Sequence, residues 1–291
     1  MEWIQGISPI EFPLFGININ PPVGFSIGGV KIHFYGILIG IGLMLAVFYG
    51  WKRCKQFGIK QENITDGILY IVPFAILCAR LYFCILKWKQ YAPNPISVLY
   101  IWEGGLAIPG GIIGAVIGIF VFCRFRKIKA GAMLDLVFLG FLIGQSIGRW
   151  GNFINREAYG EETNIFLRMG LFLDADRVGT LQMHYYHPTF LYESLWNALG
   201  FVLLHRLSKK RKYDGQIALC YVAWYGLGRA AIEGLRTDAL GWDTVRFTQL
   251  LALVAGIAAV VVLAVLWRKP HAPEQLYVNQ KKEEPTEGDK E

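Results

Sequence analysis

The chain has 291 residues, is 54% hydrophobic, carries a formal net charge of +7 and has a mean hydropathy of +0.37. So apolar a composition excludes an ordinary soluble domain and makes the bilayer the solvent for most of the chain. The basic residues cluster in short loops between apolar runs, which points to anionic lipid headgroups and away from nucleic acid.

Residues 1–31 form an N-terminal interfacial segment, expected to be irregular because Pro9, Pro13 and Pro21-Pro22 interrupt it. It has no basic n-region and therefore does not read as a cleavable signal peptide. Apolar spans then follow at about Ile32–Trp51, Ile64–Leu86, Trp102–Phe122, Met133–Trp150, Tyr186–Leu204, Ile217–Leu235 and Thr248–Trp267. Each approaches the roughly 20 residues that a helix needs to cross a bilayer. The fold expected is an all-α membrane protein of about seven transmembrane helices over 32–267, with a long loop at 151–185. The charged segment 268–291 reads as a disordered tail.

Loop charge sets the orientation. The loops after the first, third and fifth spans (52–60, 124–129 and 206–212) and the start of the tail are rich in Lys and Arg. The positive-inside rule therefore puts the N-terminus outside and the C-terminus in the cytoplasm. On that topology His33, Tyr35, Arg80, the glycine run 104–111, Arg149, Asn152, His187 and the polar face of the sixth span all fall at the outer level.

The stretch from Gly148 to Gly160 departs most from an ordinary span. An apolar helix runs directly into Arg149, Asn152, Asn155, Arg156 and Glu157. Such polar density costs several kcal/mol in hydrocarbon unless it is paired or bound to something. A guanidinium fork beside amide groups suits a phosphate or carboxylate, whereas a lone interfacial arginine needs only to snorkel. In the sixth span Tyr225, Arg229, Glu233 and Arg236 are spaced by four, four and three, which places them on one helical face. Two readings stand for that face, an ion-pair ladder between helices and an arginine pair held by a carboxylate to receive an anion. Gly104, Gly105, Gly110 and Gly111 allow either close helix packing or approach of a headgroup to backbone amides. A buried Glu193 requires a partner, with Arg80 or an arginine of the sixth span as candidates, while Asp135 reads as structural. The cysteines (Cys54, Cys78, Cys84, Cys123 and Cys220) show no CxxC or Cys/His spacing, so no metal site or disulfide framework is expected.

Five runs together carry a resemblance. They are His33-Phe-Tyr-Gly36, the Glu-Gly-Gly-Leu-Ala-Ile-Pro-Gly-Gly run from Glu103, Gly148-Arg-Trp-Gly-Asn-Phe-Ile-Asn-Arg-Glu157, His187-Pro-Thr-Phe-Leu-Tyr-Glu193, and the run from Tyr225 through Arg229 and Glu233 to Arg236-Thr-Asp238. In this order they resemble the bacterial prolipoprotein diacylglyceryl transferases, over residues of about 20–265. The resemblance implies a multi-pass protein of the bacterial inner membrane. It further implies transfer of the diacylglyceryl group of phosphatidylglycerol to the lipobox cysteine of a prolipoprotein signal peptide, with release of a glycerol phosphate. It assigns Arg149, Asn152, Glu157 and Gly160 to phosphatidylglycerol binding and makes Tyr35, Tyr225, Arg229, Glu233 and Arg236 functional positions. Gly104, Gly105 and Gly110 join the substrate-binding candidates, and His187 and Glu193 are candidate proton acceptors. Two departures stand out. Pro109 occupies a position where some members carry a histidine, and Phe190 one where many carry glutamine. No cofactor is expected. The rival reading is a transporter or lipid-translocating protein that uses the same arginines as a transit site, although no internal repeat is visible.

Overall fold

The computed structural model describes residues 2–4, 8–101, 104–175, 180–236, 241–242 and 245–283. Glu103 of the glycine run, Thr237 and Asp238 of the last motif and residues 284–291 of the tail lie outside them. Helices dominate, and their order is β1 (Glu2–Ile4), β2 (Ile10–Phe12), β3 (Ile17–Ile19), β4 (Gly24–Ile27), β5 (Val30–His33), α1 (Phe34–Arg53), α2 (Gln61–Leu86), α3 (Trp88–Tyr91), α4 (Ile108–Phe125), α5 (Ala130–Asn155), β6 (Met169–Ala175), β7 (Thr180–Tyr186), α6 (Thr189–Ser208), α7 (Gln216–Glu233), β8 (Gly241–Trp242), β9 (Val245–Arg246), α8 (Phe247–Trp267) and α9 (Tyr277–Glu283). A long helix occupies each apolar stretch expected from the sequence. Among the described residues four spans are long and apolar enough to cross a membrane: Phe34–Phe57, Gln61–Leu86, Ala130–Asn155 and Thr248–Trp267. Pro109–Phe125 is a shorter apolar helix, and the chain is a multi-pass membrane protein.

The all-α expectation needs correcting. Strands form sheets of order β1-β4-β5, β3-β2-β6-β7 and β8-β9. The N-terminal segment expected to be irregular supplies five of these strands, and the 151–185 loop carries the β6–β7 hairpin. Turn residues join some of these strands locally, as where Gly28 and Gly29, at φ of 56° and 84°, join β4 to β5, while others pair with distant segments, as β2 does with β6. In the described part of the tail, residues 268–283, a short helix forms. Tyr277 is buried at the start of α9, and its hydroxyl donates to the Lys127 carbonyl at 3.2 Å.

Two compact units divide the chain. The first comprises Met1–Phe48, Phe138–Lys210 and Ile217–Pro270. A buried apolar cluster in it joins Ile10 of β2 to Met169 and Leu171 of β6, Tyr186 of β7 and Phe190 of α6, with Phe153 of α5 packed against them. This cluster fixes the end of α5 against the start of α6, the two places where the polar motifs fall. Within the bundle, Gly140 packs against Ala46 and Gly42 against Gly144, so small residues let α1 and α5 approach closely. Helices α6 and α7 are locked by Trp196 and Trp224, stacked at 4.1 Å and 13°. Each indole donates to the other's backbone carbonyl at 3.1 Å.

The second unit comprises Tyr49–Val137, Arg211–Gln216 and His271–Glu291. Its α2 and α4 meet at Gly110 and Gly114, where a Cβ would collide with Tyr82 and Cys78. Asp135 is fully buried and accepts the Gly215 amide at 2.9 Å, the structural role its position suggested. Asp214 lies 3.1 Å from Lys129 Nζ and accepts the Tyr277 amide at 2.9 Å, which anchors α9.

Candidate active site

Three arginines in the first unit converge on one buried carboxylate. Glu193, on the first turns of α6, is 3% exposed. Its Oε1 accepts a hydrogen bond from Arg229 Nη1 of α7 at 2.6 Å. Its Oε2 lies 2.7 Å from Arg149 Nη2 of α5, a close charge contact without the alignment of a hydrogen bond. Arg236, beyond the end of α7, brings Nη1 to 3.8 Å from Oε1. The second buried carboxylate, Glu233, pairs with Arg229 one turn away on α7 and accepts from Thr248 Oγ1 of α8 at 3.1 Å. Both carboxylates are nearly sealed, whereas the Arg149, Arg229 and Arg236 side chains keep 20%, 17% and 12% of their surface open. The arginines are thus gripped from behind and open in front.

An amide relay extends the cluster. Arg149 Nη1 donates to Asn152 Oδ1 at 3.3 Å, Asn152 Nδ2 to Glu157 Oε1 at 2.9 Å, and Asn155 Nδ2 to the same oxygen at 3.4 Å. Glu157 can face back toward α5 because the chain reverses sharply. Arg156 and Ala158 take positive φ values of 55° and 58°, a strained backbone of the kind that concentrates at functional sites.

Gly160 ties this turn to the other two motifs. Its amide donates to the His187 carbonyl at 2.9 Å, and it forms a β-bridge with Arg236. A Cβ there would lie 2.6 Å from His187 Cβ and 2.7 Å from the Leu235 carbonyl, so only glycine fits. His187 Nδ1 lies 3.3 Å from the Tyr192 hydroxyl. Tyr35 of α1 packs its ring on Gly151, whose missing side chain makes the room. Tyr225 stacks on Tyr221 at 5.6 Å, one turn before Arg229.

The structure therefore brings together Arg149, Asn152, Glu157, Arg229, Glu233 and Arg236, with Gly160 and His187 strapped to Arg236 through backbone. On the α7 face the structure shows the ion-pair ladder, which links α7 to α6 and orients Arg229. The partner of Glu193 is the arginine set of α5 and α7, and Arg80 serves elsewhere. Arg80 lies in the second unit, 2% exposed, and donates to the backbone carbonyls of Val98, Ser97 and Gly104 at 2.8, 2.7 and 2.5 Å. Gly104, Gly105 and Gly110 belong to that unit as well. Gly105, at φ 72°, leaves room for Arg80 Nη1, and Gly110 packs α4 on α2.

Arg156 stands apart from the cluster despite its place in the motif. It is buried and donates to the Ser8 carbonyl at 2.9 Å, Asn20 Oδ1 at 2.7 Å and the Pro21 carbonyl at 2.9 Å. Burial lowers its pKa below the ordinary arginine value. It braces the N-terminal segment. Thr248 is the contributor that sequence reasoning missed, because a threonine opening an apolar helix reads as an ordinary helix start.

The chain is similar in sequence to known proteins. The family model described as prolipoprotein diacylglyceryl transferase matches residues 22–265. A Clostridium novyi protein named phosphatidylglycerol–prolipoprotein diacylglyceryl transferase is 42% identical over 250 residues, which covers 83% of this chain and 94% of its own. The protein of the same name from Shouchella clausii is 42% identical over 250 residues, covering 84% and 90%. That from Limosilactobacillus reuteri is 39% identical over 249 residues, also covering 84% and 90%.

Proposed function

Because this chain belongs to the prolipoprotein diacylglyceryl transferase family, we propose that its arginine cluster holds the phosphate of phosphatidylglycerol while the diacylglyceryl group passes to a cysteine thiol of a prolipoprotein. The observation that carries this reading is Glu193, a buried carboxylate that fixes arginines from α5 and α7 in one place. Arg149, Arg229 and Arg236 are held by Glu193 and Glu233, and their guanidinium forks offer the parallel N–H donors that the oxygens of a phosphodiester accept.

In the reaction the cysteine sulfur attacks the glyceryl carbon that bears the phosphate. A C–S bond forms as the C–O bond to the phosphate breaks. The electron pair leaves on the phosphate oxygen, so a thioether and a glycerol phosphate are produced. Negative charge grows on the phosphate in the transition state, where preorganised guanidinium groups in a water-poor site stabilise it most. Arg149 and Arg229 take the phosphate oxygens, and Glu233 orients Arg229. Asn152, set by Glu157, and the Tyr35 hydroxyl supply further hydrogen bonds. A free thiol with a pKa of about 8.5 is only slightly ionised near neutrality, so its proton must be taken up as sulfur attacks. His187 is the acceptor we assign, and Pro109 cannot serve as a base at its position.

The substrate peptide on this reading is the signal peptide of a prolipoprotein with its lipobox cysteine, met in the bacterial cytoplasmic membrane. The topology is seven spans with the N-terminus outside, supported by the basic loops after α1, α4 and α6. The test uses purified protein in phosphatidylglycerol-containing detergent with a lipobox peptide, following peptide mass and glycerol phosphate together. A diacylglyceryl mass gain with matching release, abolished by Arg149→Ala, is the expected result. Folded protein that binds the lipid but never modifies the peptide would refute the transferase reading and favour a translocator.

A further inference from the structure

The second unit contains a groove that shares no residue with the arginine cluster. Helices α2 and α4 are in tight contact at Gly110 and Gly114 and in looser contact at Gly118, toward the Arg124–Lys129 loop. A cavity of about 450 Å³ opens there, walled by Tyr70 and Phe74 of α2 and by Val121 and Phe125 of α4. Gly118 forms part of its floor, and Arg126 stands at its end. The walls are exposed, with Phe125 82% and Tyr70 66% accessible. Arg126 pairs with Asp66 of α2, and its guanidinium also lies 5.9 Å above the Phe122 ring. Arg124 and Lys127, both exposed, flank it, so the mouth keeps a positive charge that Asp66 only partly offsets.

An apolar slot of this kind, open along its length to hydrocarbon and closed at one end by a cationic mouth, has the polarity pattern of a phospholipid with a negatively charged headgroup. We propose that the α2–α4 groove is a binding site for an anionic phospholipid of the surrounding bilayer, with an acyl chain along Phe74, Gly118 and Phe125 and the headgroup phosphate against Arg124, Arg126 and Lys127. A zwitterionic lipid fills the same hydrocarbon slot but lacks the net charge that the mouth rewards, and basic pockets between membrane helices recognise anionic headgroups in this way. The site requires only that the chain spans a membrane, so it stands or falls independently of the transferase reading.

The test uses the full chain in phosphatidylcholine vesicles doped with equal small amounts of phosphatidylglycerol or phosphatidylcholine that carry a photoreactive diazirine on one acyl chain. Labelled peptides are then located by mass spectrometry. The expected result is preferential labelling of the α2 and α4 segments around Phe74 and Val121–Phe125 by the phosphatidylglycerol probe. Each cation neutralised, as in Arg124→Gln or Lys127→Gln, should cut that preference about fivefold. Gly118→Leu should remove labelling by both probes, because a Cβ there lies 3.4 Å from Ile71 and Phe74, in ordinary contact, and the added side chain fills the slot. Both cations are exposed, so their variants keep the test decisive if Gly118→Leu fails to fold. Equal labelling by the two probes, or a preference unchanged in the Arg124→Gln/Lys127→Gln protein, would overturn the proposal.

Discussion

Replacing Glu193 by glutamine probes the cluster at its centre. The carboxylate is 3% exposed and lies within 2.7 Å of Arg149 and 2.6 Å of Arg229, with Arg236 at 3.8 Å. Glutamine keeps the shape but removes the charge, and it turns an amide N–H₂ toward one of the guanidinium groups. Breaking a buried ion pair by neutralising one partner costs about 3–5 kcal/mol. The arginines retain 12–20% of their side-chain surface, so water recovers part of that loss and about 3 kcal/mol is the better figure. Turnover should suffer in addition, since a guanidinium displaced by about 1 Å forfeits on the order of 100-fold in rate. Thermal unfolding in lipid-free detergent, together with the peptide lipidation assay, separates the two effects. Adding phosphatidylglycerol should rescue part of the lost stability, because the phosphate replaces the missing negative charge. A variant that melts and turns over like the parent protein would refute the view that Glu193 organises the arginines.

Further outcomes follow from the same geometry. Arg149→Lys should lower turnover by about 100-fold or more with little change in unfolding temperature, because a point charge cannot reproduce the fork that spans Glu193 and Asn152. Near-normal activity would remove Arg149 from the phosphate. Gly160→Ala should destabilise by about 1–3 kcal/mol and impair turnover, since its Cβ would press on His187 and the Leu235 carbonyl; an alanine protein with normal kinetics would show the strap to be dispensable. Arg80→Ala should act on folding alone, exposing the 94–105 segment to limited proteolysis by leaving the carbonyls of Ser97, Val98 and Gly104 without their donor. An inactive but protease-resistant Arg80→Ala protein would contradict that assignment.

Much of this site is legible in one dimension, for a physical reason. Apolar runs of bilayer length announce helices because hydrocarbon leaves the backbone no other way to satisfy its polar groups. The spacing of Tyr225, Arg229, Glu233 and Arg236 places them on one face because helical periodicity is local, and the ion pair between Arg229 and Glu233 follows directly. The strands of the N-terminal segment were hidden because short strands draw their stability from partners distant in sequence, as Ile10 does from Leu171.

Tertiary structure alone decided what each arginine does. Arg80, Arg149 and Arg156 look alike in sequence, each an intramembrane or membrane-edge cation that must be neutralised. The packing of α6 against α5 and α7 brings Glu193 to Arg149 and Arg229 and leaves part of their side-chain surface exposed. Arg156 is turned by a left-handed backbone toward Ser8 and Pro21, and Arg80 is consumed by the loop before α4. Sequence determines that buried charges need partners, because the desolvation cost is a property of the residue. Which partner satisfies them, and which side of the guanidinium stays free, is set by the approach of helices far apart in the chain.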